Sequence, residues 1–120
     1  AAIAIAYMGA ERGGVATAAQ DILAERSRQI TAEGYTPGHD DEHDGGELAA
    51  AASAYVFAAA DRLHPMSQGD GGFTASEPPM MMPQEWSFKP DDLRRMLVKA
   101  GALIIAEIER LDRAAVAQPA

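Results

Sequence analysis

Residues 33–48, EGYTPGHDDEHDGGEL, crowd together side chains that can hold a metal ion or move a proton. Oxygen-rich clusters of this kind suit magnesium, manganese or calcium, and the imidazoles of His39 and His43 also admit zinc or iron. Histidine changes charge near neutral pH, so either ring could serve as a general base. The spacing is neither H-E-x-x-H nor that of an EF-hand loop. A plainer reading competes. Asp44-Gly-Gly-Glu47 stands just before an apolar-periodic run and resembles a capping box, with Asp44 accepting from the next turn and Glu47 at the positive helix end. The residues before it could be a solvated connector. The chain has no G-x-x-x-x-G-K-[ST], no G-x-G-x-x-G and no G-x-S-x-G, so nothing supports nucleophilic catalysis.

The elements that must position these groups read as helices. The first is expected over 17–33, capped by Thr17 and ended by Gly34. Ala19, Ile22, Leu23 and Ile30 share its apolar stripe. Arg26 falls near the centre of that stripe, Glu33 beside it and Gln29 at its margin. Either Arg26 snorkels to solvent and Glu33 frays at the helix end, or both face inward into a polar pocket. The second helix is expected over 45–63, with Leu48, Ala52, Tyr55, Val56, Ala59 and Leu63 inward and His64-Pro65 ending it. The third is expected over 90–113. Pro90 opens it, Asp91 and Asp92 meet its positive end, and Leu93, Leu97, Gly101, Ile104, Ile108 and Leu111 form its stripe, widened by Val98 and Ile105. Gly101 marks a close helix crossing.

Between the second and third helices, residues 65–89 show little periodicity and hold the single tryptophan. So long a connection in a compact domain is a lid, a binding loop or disordered. The Trp86 end is expected to dock and the glycine-rich part to be mobile. Residues 1–14 read as an arm and 114–120 as a frayed tail. The expectation is therefore one all-α domain, a bundle of three main helices. Its alanine-rich faces favour close packing, and the incomplete helix count favours a homo-oligomer.

The totals narrow the function. A net charge of −8 argues against DNA or RNA binding, which needs a basic surface. The absence of cysteine excludes disulfides, zinc-thiolate sites and thiol catalysis. No stretch is long and apolar enough for a membrane span, and AAIAIAYM at the start has no basic flank to make it a secretory signal.

Two stretches, ERSRQITAEGYTPGHDDEHDGGELAAAASAY and WSFKPDDLRRMLVKAGALIIAEIERLDR, resemble an uncharacterised family of small phage and prophage proteins. Its pattern runs E-R-x-R-Q, E-G-W-T-x-x-H-D-D-x-H, G-E-L-A-x-A-A, W-x-x-K-P and R-R-x-L-x-K-A, closing on A-E-I-x-R-L. The likeness spans residues 24–113 apart from the middle loop, with Tyr35 in place of the usual tryptophan. It implies a cytoplasmic protein of an infected or lysogenic host. The piece D-E-H-x-x-G-E-L-A-x-A-A is also similar to part of the MazG-like nucleotide pyrophosphohydrolases, all-α enzymes that hold magnesium with helix-borne acids. Where their paired motifs carry further acids, this chain has Ala50 and Arg110.

That second resemblance implies a site. Glu33, Asp41, Asp44 and Glu47 would hold Mg2+ or Mn2+, and Glu33, His39, His43 and Glu47 would be catalytic. Arg26, Gln29, Tyr35, Trp86, Lys89, Arg94 and Lys99 would bind substrate, the cations on phosphate and the aromatic rings on a base. Three functions stay open: a metal-dependent nucleotide hydrolase, a phage protein that sequesters a nucleotide signal, and a module that binds a host protein to counter defence.

Overall fold

A computed structural model describes residues 17–63 and 73–117. Among these the chain is all-α, with no strand. The helices are α1 (Ala18–Ala32), α2 (Pro37–Asp41), α3 (Glu47–Leu63) and α4 (Leu93–Ala117). The three expected helices are present, and α2 is a short addition inside the acidic segment. The arm expected at 1–14, the His64-Pro65 stop and the glycine-rich stretch before Phe73 lie outside the described residues.

Local chemistry accounts for most of the boundaries. Thr17 caps α1 in a reciprocal box with Gln20, at 3.1 Å and 2.9 Å. Gly34, at φ +77°, turns the chain back so that the Tyr35 amide donates to the Gln29 carbonyl at 2.9 Å. Thr36 caps α2 by accepting from the His39 amide, with Pro37 in the first turn. The box expected at the start of α3 forms differently. Glu47 reaches back to the Gly45 amide at 2.7 Å, and Gly46 enters the helix at φ +89°, so the capping oxygen is not that of Asp44. Helix α4 begins three residues later than expected, because Asp92 takes the cap by accepting from the Arg95 amide at 2.8 Å. It also runs on to Ala117, through residues expected to fray.

Helix α4 packs chiefly on α3, less on α1 and least on α2. The core between α3 and α4 is rich in alanine: Ala51, Ala54 and Ala58 cluster with Ala100 and Ala106, with Leu48, Tyr55, Met96 and Leu103 filling the larger spaces. On α3 the expected stripe is buried at Leu48, Ala52, Tyr55 and Ala59, while Val56 is exposed. The Leu63 side chain lies outside the described ones.

Two stripes turn out differently from the expectation. On α4, Leu97, Ile104, Ile108 and Leu111 are about half exposed; Val98 is buried as expected, and Met96, Ala100, Leu103 and Ala106 are buried outside the expected stripe. The sequence offers two apolar faces, and the one with small residues fits the alanine face of α3 more closely, where dispersion contacts are denser. On α1, Leu23 is exposed while Glu25, Arg26 and Gln29 are buried. Arg26 is 5% exposed, so it faces inward and does not snorkel.

The middle segment is pinned at its C-terminal end. Phe88 stacks on Tyr55 with ring centroids 4.9 Å apart. The Lys89 amide donates to the Tyr55 hydroxyl at 2.9 Å, and Lys99 Nζ donates to the Lys89 carbonyl at 2.9 Å. Met82 and Pro79 are buried as well. The expected docking of the Trp86 end is present, with Trp86 packed against the core cluster.

Candidate functional site

A cavity of about 380 Å³ opens between α1, the α2 turn, α3, the pinned segment and α4. That is the lower end of the roughly 300–1,000 Å³ usual for small-molecule sites. Four rings form one wall. Tyr35 stacks on His39 at 5.3 Å and 9°, His39 meets His43 at 4.6 Å, and His43 meets the edge of Trp86 at 5.0 Å. The α2 turn arranges this, since His39 and His43 are four residues apart and the His43 amide donates to the Asp40 carbonyl at 3.0 Å.

A charge network on α1 lines the same cavity. Glu25, 1% exposed, takes both donors of Arg28 at 2.8 Å, the Gln29 amide at 3.2 Å and a third cation, Arg95 of α4. Burial pushes the Glu25 carboxyl up, but the Arg28 hydrogen bonds and the Arg95 and Arg28 charges outweigh it, so it is held below the ordinary range. Glu33 closes the rim, bonded to Lys89 of the pinned segment and to Arg28 at 3.3 Å. Lys89, ahead of its own burial, holds the Glu33 carboxyl low. Burial raises both Tyr35 and Tyr55, so these phenols stay neutral, as donors and stacking surfaces. Among the lining groups Glu25, Glu33 and Glu85 face Arg28, Lys89 and Lys99, three acids against three cations. The Gln29 Oε1 is buried in this network with no hydrogen-bond donor.

Of the residues expected to act, the cavity brings together Gln29, Glu33, Tyr35, His39, His43, Trp86, Lys89 and Lys99. It leaves out Arg26, Arg94, Asp41, Asp44 and Glu47. Arg26 sits behind the wall. It donates to buried Asp40 at 3.0 Å, to Glu109 at 3.1 and 3.2 Å and to the Tyr35 carbonyl at 3.1 Å, so it ties α1, α2 and α4 together. Arg94 pairs with Asp21 on the surface at 2.7 Å. Asp41 pairs with Arg113 at 2.8 Å, and Asp41 and Asp44 face a second cavity beside Arg110 and Arg113. Glu47 binds its own helix start and faces His43 at 3.5 Å. The four acids expected to share a metal are thus dispersed, and among the described residues no three His, Asp or Glu side chains converge as a metal-holding group.

The cavity also uses residues that the sequence reading passed over: Glu25, Arg28, Tyr55 and Glu85. A signal existed for two of them. Glu25, Arg28 and Gln29 are spaced three and four apart, which makes a polar face at helical period. Tyr55 read only as core, and nothing in the sequence ties Glu85 to the others.

Neither a protein-family model, nor a curated protein, nor a solved structure matches this chain. No described helix is long and apolar enough to cross a membrane.

Proposed function

We propose that this protein binds a small heteroaromatic ligand of the nucleoside or nucleotide class in the cavity, and that its primary act is capture. The observation that carries this is a run of four rings, Tyr35, His39, His43 and Trp86, that lines one space sized for such a molecule together with Arg28, Lys89 and Lys99. A base would stack on the exposed ring faces, and such stacking contributes about 1–3 kcal/mol per base. Gln29, with an unpaired oxygen, and the high-pKa phenols supply fixed hydrogen-bonding groups that read a polar edge. Three lining acids balance three cations, which favours a nucleoside or a monophosphate over a triphosphate. The cations are already paired, so a phosphate would displace Glu33 from Lys89. The resemblance to MazG-like enzymes points to the same ligand class, but the dispersal of the four acids favours capture over metal-assisted hydrolysis.

The test is incubation with pooled ribo- and deoxynucleosides, monophosphates and triphosphates, then ultrafiltration and chromatography. One compound should be depleted from the filtrate and recovered intact on denaturation, with binding about tenfold or more weaker in Trp86→Ala. No depletion of any compound overturns the nucleotide reading. Release of monophosphate and pyrophosphate restores the hydrolase.

The homo-oligomer expected from the sequence belongs to this proposal. The half-exposed row Leu97, Ile104, Ile108 and Leu111 is a face that a second copy would cover. A monomer in sedimentation at micromolar concentration removes it.

A further inference from the structure

The His39–His43 pair has an electrostatic problem that the ring wall alone does not explain. Each ring turns one nitrogen toward a carboxylate. His39 Nδ1 faces Asp40 Oδ1 at 3.6 Å, and His43 Nδ1 faces Glu47 Oε2 at 3.5 Å. Both distances exceed a hydrogen bond, yet a carboxylate at that range favours the tautomer with its proton on Nδ1. The two facing atoms of the first pair are buried, and neither His39 Nδ1 nor Asp40 Oδ1 has a hydrogen-bond partner. The proton on Nδ1 leaves a lone pair on each Nε2, and these two nitrogens face each other at 3.4 Å. A proton moved to one Nε2 would join them by a hydrogen bond but turn that ring's bare Nδ1 toward a carboxylate, whereas a cation between them satisfies both lone pairs and keeps both Nδ1 protons.

We propose that His39 and His43 form a two-imidazole chelate for a divalent ion of the zinc class, with the remaining coordination positions open to the cavity. Two nitrogens bound at about 2.0–2.1 Å to one tetrahedral ion stand about 3.3–3.4 Å apart, which the Nε2 pair matches at 3.4 Å. The ring centroids are 4.6 Å apart. An ideal pair needs about 5.2 Å, so the rings open slightly on loading. Asp40 and Glu47 then take the place that carboxylates hold behind metal-bound imidazoles, where they fix the tautomer and raise basicity. Imidazole selects zinc, nickel, cobalt and copper over magnesium and calcium. This site differs from the acid set Glu33, Asp41, Asp44 and Glu47. With only two protein ligands it binds the ion more weakly than a three-ligand centre. A bound dication would add charge to a cavity whose lining is balanced, so anionic ligands would bind more tightly with it than without. The chelate does not depend on the nucleotide reading, because the metal alone is the probe.

The experiment titrates the metal-free full chain with zinc by calorimetry, and with copper by quenching of Trp86, the only tryptophan, whose ring lies 5.0 Å from that of His43. The expected result is one ion per chain, no competition from magnesium, and affinity at least tenfold weaker in His39→Gln and in His43→Gln. Glu47→Gln should weaken binding by about 10–100-fold with both ligands in place. Should a histidine variant fail to fold, imidazole nitrogen NMR of the native chain decides the matter. Saturating zinc should shift both Nε2 resonances while both Nδ1 atoms keep their protons. No saturable binding, binding that persists in the folded double histidine variant, or Nε2 resonances unmoved by zinc overturns the proposal.

Discussion

Helices α1 and α4 both read as amphipathic, and neither is buried as its apolar stripe marks: α1 buries the charge at the centre of its stripe, and α4 buries mainly a neighbouring face. Helix α1 buries Glu25, Arg26 and Gln29 and exposes Leu23. Helix α4 buries a small-residue face and leaves Leu97, Ile104, Ile108 and Leu111 half in solvent. The difference is one of purpose. The inner surface of α4 builds the core, where close approach decides the face. The inner surface of α1 lines and braces the cavity, where each buried charge has partners: Arg26 has Asp40 and Glu109, and Glu25 has Arg28 and Arg95. Buried ion pairs add little net stability, but losing one partner is costly. Polar residues buried at helical period here line or brace the cavity, and the apolar row of α4 is left half exposed.

The largest break in that contrast is Arg26→Met. It strands Asp40, fully buried, without its cation, and should cost about 3–5 kcal/mol in denaturant unfolding. If Arg26→Met with Asp40→Leu recovers most of that loss, the cost lies in the stranded charge and not in the packing. Next is the point where the two helices touch. A Cβ on Gly101 would lie 3.0–3.2 Å from Ile22 side-chain atoms. Gly101→Leu should push α1 off α4 and cost about 1–3 kcal/mol by thermal unfolding. Gly101→Ala should be near neutral, because about 1 kcal/mol of helix propensity offsets the crowding.

Acid sharpens the comparison on the α1 side. The Glu25 and Glu33 carboxyls are held low, so their stabilisation is complete above the unfolded glutamate value of about 4.3. It is lost as pH falls through the folded values. Unfolding free energy measured from pH 7 downward should hold until about pH 5 and then fall, and the fall should be shallower in Glu25→Gln. The smallest effect is expected on the open face of α4. Ile108→Lys should change monomer stability by no more than about 0.5 kcal/mol. In a self-associating chain the same variant should abolish the concentration dependence of Tm.

The chain by itself determined a good deal. Thr17 and Gly34 placed helix ends through a cap and a turn, which are local and leave local signals; Pro37 and Asp92 act in the same local way, though the sequence does not predict α2 and predicts α4 from residue 90. Alanine-rich periodic runs determined an all-α fold, and the His39–His43 spacing put both rings on one side of a turn. Eight of the expected site residues, Gln29, Glu33, Tyr35, His39, His43, Trp86, Lys89 and Lys99, line a single cavity. Only the tertiary structure decided which charges face that cavity and which stand behind it. Arg26 and Arg28 are two residues apart, yet one braces three helices and the other lines the pocket. Asp40 and Asp41 are adjacent, yet one is buried on Arg26 and the other is exposed on Arg113. Adjacent side chains on a helix leave it in directions about 100° apart, and what each direction meets is set by helices far away in sequence. The same reason selected the face of α4. Its two apolar stripes compete nearly equally by composition, and the alanine surface of α3 broke the tie by admitting the closer approach.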